Sequence, residues 1–163
     1  MFKGRHEKFE DRLHRIEPWL MRGSQPSPKD YSELYDAGIR VIVNLRKHDE
    51  TNDIEKVAPE ILAVRIAVPN HNAPYDAQAL KWLELCESVR AKLPIFVHCH
   101  AGHGRTSVFC ALVRIAQGWP LEKIIAEERS YGFEPEEEVE QNEFIERFWS
   151  DVQSGRLQVP SLR

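Results

Sequence analysis

Short apolar runs rich in β-branched residues recur along this chain, separated by stretches whose apolar positions repeat at helical spacing. Ile16 to Arg22, Ile39-Arg40-Val41-Ile42-Val43-Asn44-Leu45, Ile61 to Val68 and Leu93-Pro94-Ile95-Phe96-Val97 read as strands. The first is assigned to a sheet edge, because Pro18 cannot donate to a ladder. Helices are predicted from Ser27, a capping residue followed by Pro28, to Gly38, and over Asn52 to Ala58. Another runs from Asp76, read as its cap, to about Lys92, with Leu80, Leu83 and Val89 on its apolar side. Ser107 to Ile115 is apolar enough for a buried helix, and two more cover Leu121 to Tyr131 and Pro135 to Gln153. Strands alternating with helices predict an α/β fold, a central mostly parallel twisted sheet flanked by helices. In such sheets ligands bind at the carboxyl ends of strands.

The 163 residues fit one domain. We divide them into a charged N-terminal arm (1–15), a domain (16–153) and a tail (154–163) whose residues 157–163 are expected to be loose. With 42% apolar and 29% charged residues, the composition is that of a globular chain. A net charge of −4 offers no global basic field for nucleic acid or anionic membrane. No apolar run approaches the length of a membrane span, and Met1 to Lys8 lacks the apolar segment of a signal peptide. Three cysteines make no disulfide framework, and a cytoplasmic location is expected. Cys86 and Cys110 read as small buried hydrophobes, and the four tryptophans as core or half-buried anchors.

The chemistry concentrates in His98-Cys99-His100-Ala101-Gly102-His103-Gly104-Arg105-Thr106, between a predicted strand and a predicted helix. A tight strand-to-helix loop aims backbone N–H groups at one point, and the helix N-terminus adds positive potential there. Such surroundings favour a cysteine thiolate. Arg105 can grip two phosphate oxygens through its planar fork. Gly102 and Gly104 allow close approach of an anion to the backbone and positive φ where the loop needs it. Phosphate binding is therefore expected from His100, Ala101, Gly102, His103, Gly104, Arg105 and Thr106.

The motif H-C-x-x-G-x-x-R-T resembles the signature loop of the cysteine-dependent protein tyrosine and dual-specificity phosphatases. Trp19-Leu20-Met21-Arg22-Gly23-Ser24-Gln25-Pro26 and Gly38 to Arg46 are similar to the opening of the small atypical dual-specificity members. So are Gln117-Gly118-Trp119, Ala126-Glu127-Glu128-Arg129 and Tyr131-Gly132-Phe133 near the end, and the compact chain resembles bacterial representatives. The resemblance covers about Ile16 to Trp149. It implies that Cys99 attacks phosphorus to give a phosphocysteine and that Arg105 and the loop amides hold the equatorial oxygens. It further implies that Thr106 assists departure of the thiolate and that His98 orients the loop from behind.

The same resemblance exposes a departure. The family's proton donor is an Asp in a loop reading Asp-His-x-x-Pro, and here that string is Asn70-His71-Asn72-Ala73-Pro74. An amide has no titratable proton near neutral pH. Asn70 fits a substrate-trap substitution, a natural variant using another acid, or a pseudophosphatase that binds phosphate without turning it over; a different register would move the acid elsewhere. Asp76, His71, Asp49, Glu50 and Asp53 are the other candidate donors. Gln141 and Asn142 are read as a solvated helix face, with water placement as the alternative, and Arg46 and Arg65 as candidate pocket residues.

Zinc binding by His98, Cys99, His100 and His103 is disfavoured by the missing second ligand pair and by Arg105. Rhodanese-like sulfur transfer leaves Gly102 and the Arg105-Thr106 pair unexplained, and an arsenate-reductase use of the loop lacks an obvious cysteine relay. No metal and no cofactor are expected. The expected partners are phosphorylated protein, phosphoinositide or inositol phosphate substrates. His100 and His103 stand where phosphoinositide phosphatases resembling this family often carry lysines.

Overall fold

The structure, a computed structural model, describes residues 9–163; the first eight residues of the expected N-terminal arm lie outside the described residues. A short 3-10 turn, Phe9–Arg12, leads into strands β1 (His14–Glu17) and β2 (Leu20–Gly23). Then come α1 (Asp30–Asp36), β3 (Val41–Asn44), α2 (Thr51–Val57), β4 (Leu62–Arg65), α3 (Asp76–Val89) and β5 (Ile95–His98). Three helices finish the chain: α4 (Gly104–Ala116), α5 (Leu121–Ser130) and α6 (Val139–Gln153). The strands form one sheet in the order β1-β2-β5-β3-β4, parallel throughout except for the β1–β2 pair. This is the expected α/β architecture, with β5 at its centre.

The single edge strand expected over Ile16 to Arg22 is instead two strands. Pro18 sits in the turn between them, where its fixed φ is favourable and its missing N–H costs nothing. β2 is an inner strand, buried at all four residues, and β1 takes the edge. Two helix starts also differ. The Asp30 carboxylate accepts bonds from the Ser27 N–H and hydroxyl, both at 2.7 Å, so Ser27 closes a turn and α1 begins at Asp30. Asp76 is not the cap of α3 but its first residue. Tyr75 holds the cap position, and its N–H donates to Gln78 Oε1 at 2.9 Å.

Alternation along the strands separates two apolar layers. Met21, Ile42 and Phe96 face Tyr31 and Leu34 of α1 and Ile54 of α2. Leu20, Val41, Val43, Ile95 and Val97 face the opposite layer, which holds α4 and its neighbours α3, α5 and α6. From Arg105 to Ala116 every residue of α4 is buried, which accounts for its nearly unbroken apolar sequence. Trp82 is fully buried and donates from Nε1 to the Phe109 carbonyl at 2.8 Å; Trp149 donates likewise to the Trp119 carbonyl at 3.0 Å. Cys86 and Cys110 lie in this layer as free thiols, and burial pushes both upward in pKa, Cys110 to about 12. Among the described residues no helix is long and apolar enough to cross a membrane.

The segment 157–163 is not loose as expected. Leu162 is 1% exposed, its N–H donates to the Ala116 carbonyl at 3.1 Å, and Arg90 Nη1 donates to the Leu162 carbonyl at 2.7 Å. A terminal leucine seated between α3 and α4 is worth burying despite the entropy of ordering the tail. Leu162→Ala is expected to lower unfolding free energy by about 2 kcal/mol, the low end for a buried leucine, read from urea unfolding.

Candidate active site

The sheet delivers its central strand, β5, to the start of α4, and the loop between them holds Cys99. That residue is 3% exposed, and the Thr106 hydroxyl donates to its Sγ at 3.0 Å. Arg105 is buried beside it, with Nη1 donating to the Val68 carbonyl at 3.0 Å and Nε left without a partner among the described residues. Gly102 has φ +83°, and a Cβ there would stand 2.8 Å from the Gly23 carbonyl oxygen, so both backbone conformation and space demand glycine. At Gly104 a Cβ would meet Gln141 Oε1 at 2.8 Å, so a larger residue there would displace the end of the Gln141 side chain. His100, Ala101 and His103 are exposed at the mouth of the loop, and His103 Nδ1 lies 2.8 Å from the Tyr131 carbonyl, an acceptor, so this nitrogen donates.

Two buried polar clusters hold the loop from behind. In one, His98 Nε2 lies 2.6 Å from Glu50 Oε1 and Nδ1 lies 3.0 Å from the Cys99 carbonyl. The other Glu50 oxygen accepts from Tyr31 at 2.7 Å and from Gln25 Nε2 at 2.9 Å. Burial opposes the Glu50 carboxylate, but the bonds from His98, Tyr31 and Gln25 outweigh it and hold its pKa below the ordinary value. The Gln25 N–H also donates to the His100 carbonyl at 3.0 Å, so this cluster grips the loop directly. In the second cluster Arg22, on β2, pairs with Glu128 and donates to the Gly102 carbonyl at 3.0 Å and to Ser107 Oγ at 2.9 Å. Its guanidinium also lies 4.5 Å from the centre of the Tyr131 ring.

In front of the loop lies a hollow of about 440 Å³ lined by Arg46, Lys47, His48, Val68, Pro69, Asn70, His100 and Arg105. Five of these carry basic groups and none a carboxylate, so the hollow is locally positive in a chain of net charge −4. Asn70 and Arg105 thus meet across one space, as the sequence spacing suggests. Asn70 is exposed, and its Oδ1 accepts from the His71 N–H at 3.1 Å, while His71 turns the chain with φ 66°. Arg46 lines the hollow; Arg65 does not, and donates to the Lys47 carbonyl at 2.6 Å. Several carboxylates considered as donors are engaged elsewhere. Asp49 accepts from the Thr51 N–H and hydroxyl at the start of α2, Glu50 holds His98, and Asp76 pairs with Arg147 at 2.6 Å.

Gln141 is not on a solvated face. It is 1% exposed, Nε2 donates to the Asn72 carbonyl at 3.1 Å, and Oε1 approaches Gly104 without a partner among the described residues. It therefore joins the Asn70 loop to the start of α4. Sequence reading passed over Arg22 and considered Glu50 only as one of several possible donors. A visible signal was an arginine inside a strand of otherwise buried type, since a charge there requires a partner. As a whole, the loop amides, the α4 N-terminus, Arg105 and the thiol beneath them form a site that can bind a tetrahedral oxyanion with sulfur facing its central atom.

Comparison with known proteins agrees with this geometry. A family model described as DSP-PTPase phosphatase fused to NAD+ kinase matches residues 4–147. The dual specificity protein phosphatase TpbA of Pseudomonas aeruginosa is 26% identical over 129 residues, covering 78% of this chain. The chain spans 57% of the length of that curated relative. The crystal structure of P. aeruginosa TpbA superposes with a TM-score of 0.72 at 22% identity, over 83% of each chain. The catalytic core of the PP-IP phosphatase SIW14 from S. cerevisiae, in complex with citrate, gives 0.73 at 23% identity over 89% of each. PTPMT1 in complex with PI(5)P gives 0.72 at 19% identity, over 90% of this chain and 100% of that one. At these identities the structural matches speak to the fold.

The Glu50–His98 contact carries a stability signature. A carboxyl whose folded pKa lies below its unfolded value stabilises the fold fully above the unfolded value, about 4.3, and loses that contribution as pH falls through the folded value. Glu50→Gln should cost about 2 kcal/mol at pH 7, as expected on weakening hydrogen bonds to a buried charged group. It should also flatten the loss of stability below about pH 4, measured by urea unfolding as a function of pH.

Proposed function

The chain belongs to the family of DSP-PTPase phosphatases fused to NAD+ kinase, and from that premise we propose that it hydrolyses phosphate monoesters through a phosphocysteine at Cys99. The observation that carries the proposal is the Thr106 hydroxyl donating to Cys99 Sγ at 3.0 Å within the anion-binding loop. In the first step the thiolate attacks phosphorus in line. The S–P bond forms, the P–O bond to the leaving group breaks, and its electrons stay on the departing oxygen. Loop amides and the Arg105 fork hold the remaining oxygens. In the second step a water oxygen bonds to phosphorus, the S–P bond breaks with its electrons staying on sulfur, and the proton released by the water passes to solvent, since Asn70 cannot accept it. The hydrogen bond from Thr106 stabilises the sulfur as a leaving thiolate, and the buried Gln141, whose carbonyl oxygen at Gly104 has no partner among the described residues, is suited to orient the water.

Asn70 bears on rate rather than on binding. It lines the hollow opposite Arg105 but has no proton to give the leaving oxygen. The first step then depends on solvent or on a leaving group stable enough to depart unprotonated. That favours aryl over alkyl phosphates and makes slow turnover, up to a phosphate-holding role, the second reading.

Substrate assignment follows the basic lining of the hollow. TpbA has been crystallised with pTyr and PTPMT1 with PI(5)P, and both ligand types suit a positive, open site. Phosphorylated peptides and inositol phosphates are therefore the proposed classes. The product of NAD+ kinase, a 2′-phosphate monoester of a dinucleotide, joins the panel because of the family description.

Two measurements test the mechanism. Wild type quenched with a phosphate ester should gain one phosphoryl group on Cys99 by mass spectrometry, and Cys99→Ser should not; an unmodified wild type that still hydrolyses the ester would refute the phosphocysteine. Asn70→Asp should raise kcat for an alkyl phosphate by about 10²–10⁴-fold and for p-nitrophenyl phosphate by less. Equal rates in both forms would remove residue 70 from the acid position.

A further inference from the structure

A second hollow lies on the far side of the same loop, and the mechanism makes no use of it. It measures about 210 Å³ and is lined by Asp11, Arg12, His14, Gly23, Ser24, Ala101, Gly102, His103 and Tyr131. The first hollow takes His100 and Arg105 from the loop, and this one takes Ala101, Gly102 and His103 from between them, so the two flank one short stretch of backbone.

Its polar groups suit an anion. Arg12 Nε and Ser24 Oγ are buried donors with no partner among the described residues. His103 spends Nδ1 on the Tyr131 carbonyl, which leaves Nε2 for a ligand. His14 is exposed, with its ring 5.1 Å from that of Tyr131. Arg22 lies buried beneath, committed to Glu128 but adding its charge to the same region. Burial first, then the charges of Arg22 and His103, hold the His14 pKa below its ordinary value. Asp11 is the one carboxylate among the lining residues.

We propose that Arg12, His14, Ser24 and His103 form a second anion subsite, which takes a further phosphate of a substrate whose scissile phosphate sits over Cys99. The inference rests on the phosphatase reading above and narrows it. The preferred substrate is a small molecule with two or more phosphate groups, and a lone phosphate monoester fills only half of the site. The second phosphate can come from a polyol carrying several phosphates or from the diphosphate bridge of a dinucleotide bearing a 2′-phosphate. The chemistry is shared, and separate probes distinguish the sources.

The test compares kcat/KM for myo-inositol hexakisphosphate and for NADP+ with that for p-nitrophenyl phosphate, in wild type and in the Arg12→Gln, His14→Gln double variant. Loss of the Arg12 charge and of the His14 ring donor should lower at least one of these ratios roughly tenfold or more. A fall confined to the inositol phosphate assigns the polyol source, and one confined to NADP+ assigns the dinucleotide. Unchanged ratios for both overturn the subsite. His14→Gln alone, at an exposed position on the edge strand, keeps the comparison available if the double variant loses stability. If wild type hydrolyses none of the three compounds, the catalytic reading fails by itself. The subsite is then decided by calorimetry on Cys99→Ser: weaker binding of hexakisphosphate or NADP+ when the two substitutions are added supports it, and equal affinity for both overturns it.

Discussion

The structure depends on a guanidinium that cannot give up its charge. Arg22 is 1% exposed in the second strand of the sheet, and an arginine stays protonated in a protein. A buried charge of this kind is tolerable only if it is paired and its donors are satisfied. Glu128 from α5, the Gly102 carbonyl and Ser107 of α4 supply that satisfaction. Strand, loop and two helices must therefore arrive together. The carbonyl taken by Arg22 belongs to the glycine with positive φ, so one contact turns Gly102 C=O inward and fixes the loop conformation around Cys99.

A second buried polar contact works from the other side. Glu50 lies beyond the carboxyl end of β3 and reaches His98 at the carboxyl end of β5, and through Gln25 it also steadies the His100 carbonyl. The loop is thus held at its entry and at its middle before any ligand arrives. An anion site arranged in advance has little reorganisation to undergo when charge develops on a bound phosphoryl group. The local field comes from the same design: five basic side chains surround the hollow, while the acidic residues that make the whole chain negative lie elsewhere.

Under the proposed mechanism, holding phosphate and turning it over would fall to different parts of the fold. The grip would belong to β5, α4 and the two buried clusters, and the leaving group would face the loop after β4, where Asn70 stands. That loop is tied to the grip at two points, the Val68 carbonyl accepting from Arg105 and the Asn72 carbonyl accepting from Gln141.

Much of this was legible in the sequence because it is local. The apolar strand, the Cys99 to Thr106 loop and the apolar helix are contiguous, and β-branched residues, glycines and a helix start carry their meaning in neighbouring letters. Asn70 was found the same way, from a short string before a helix. Ile16 to Arg22 was misread because a proline inside an apolar run marks an edge strand or a turn with equal force; only the pairing of β2 with β5 decides between them. What remained hidden were partners far apart in the chain. Arg22 and Glu128 are 106 residues apart, Glu50 and His98 are 48 apart, and Leu162 docks on Ala116. The sequence by itself determined the α/β class and placed Cys99 and Arg105 on one loop between a strand and a helix. The tertiary structure alone decided which buried polar groups meet, because a hydrogen bond acts over about 3 Å and only folding brings distant residues that close.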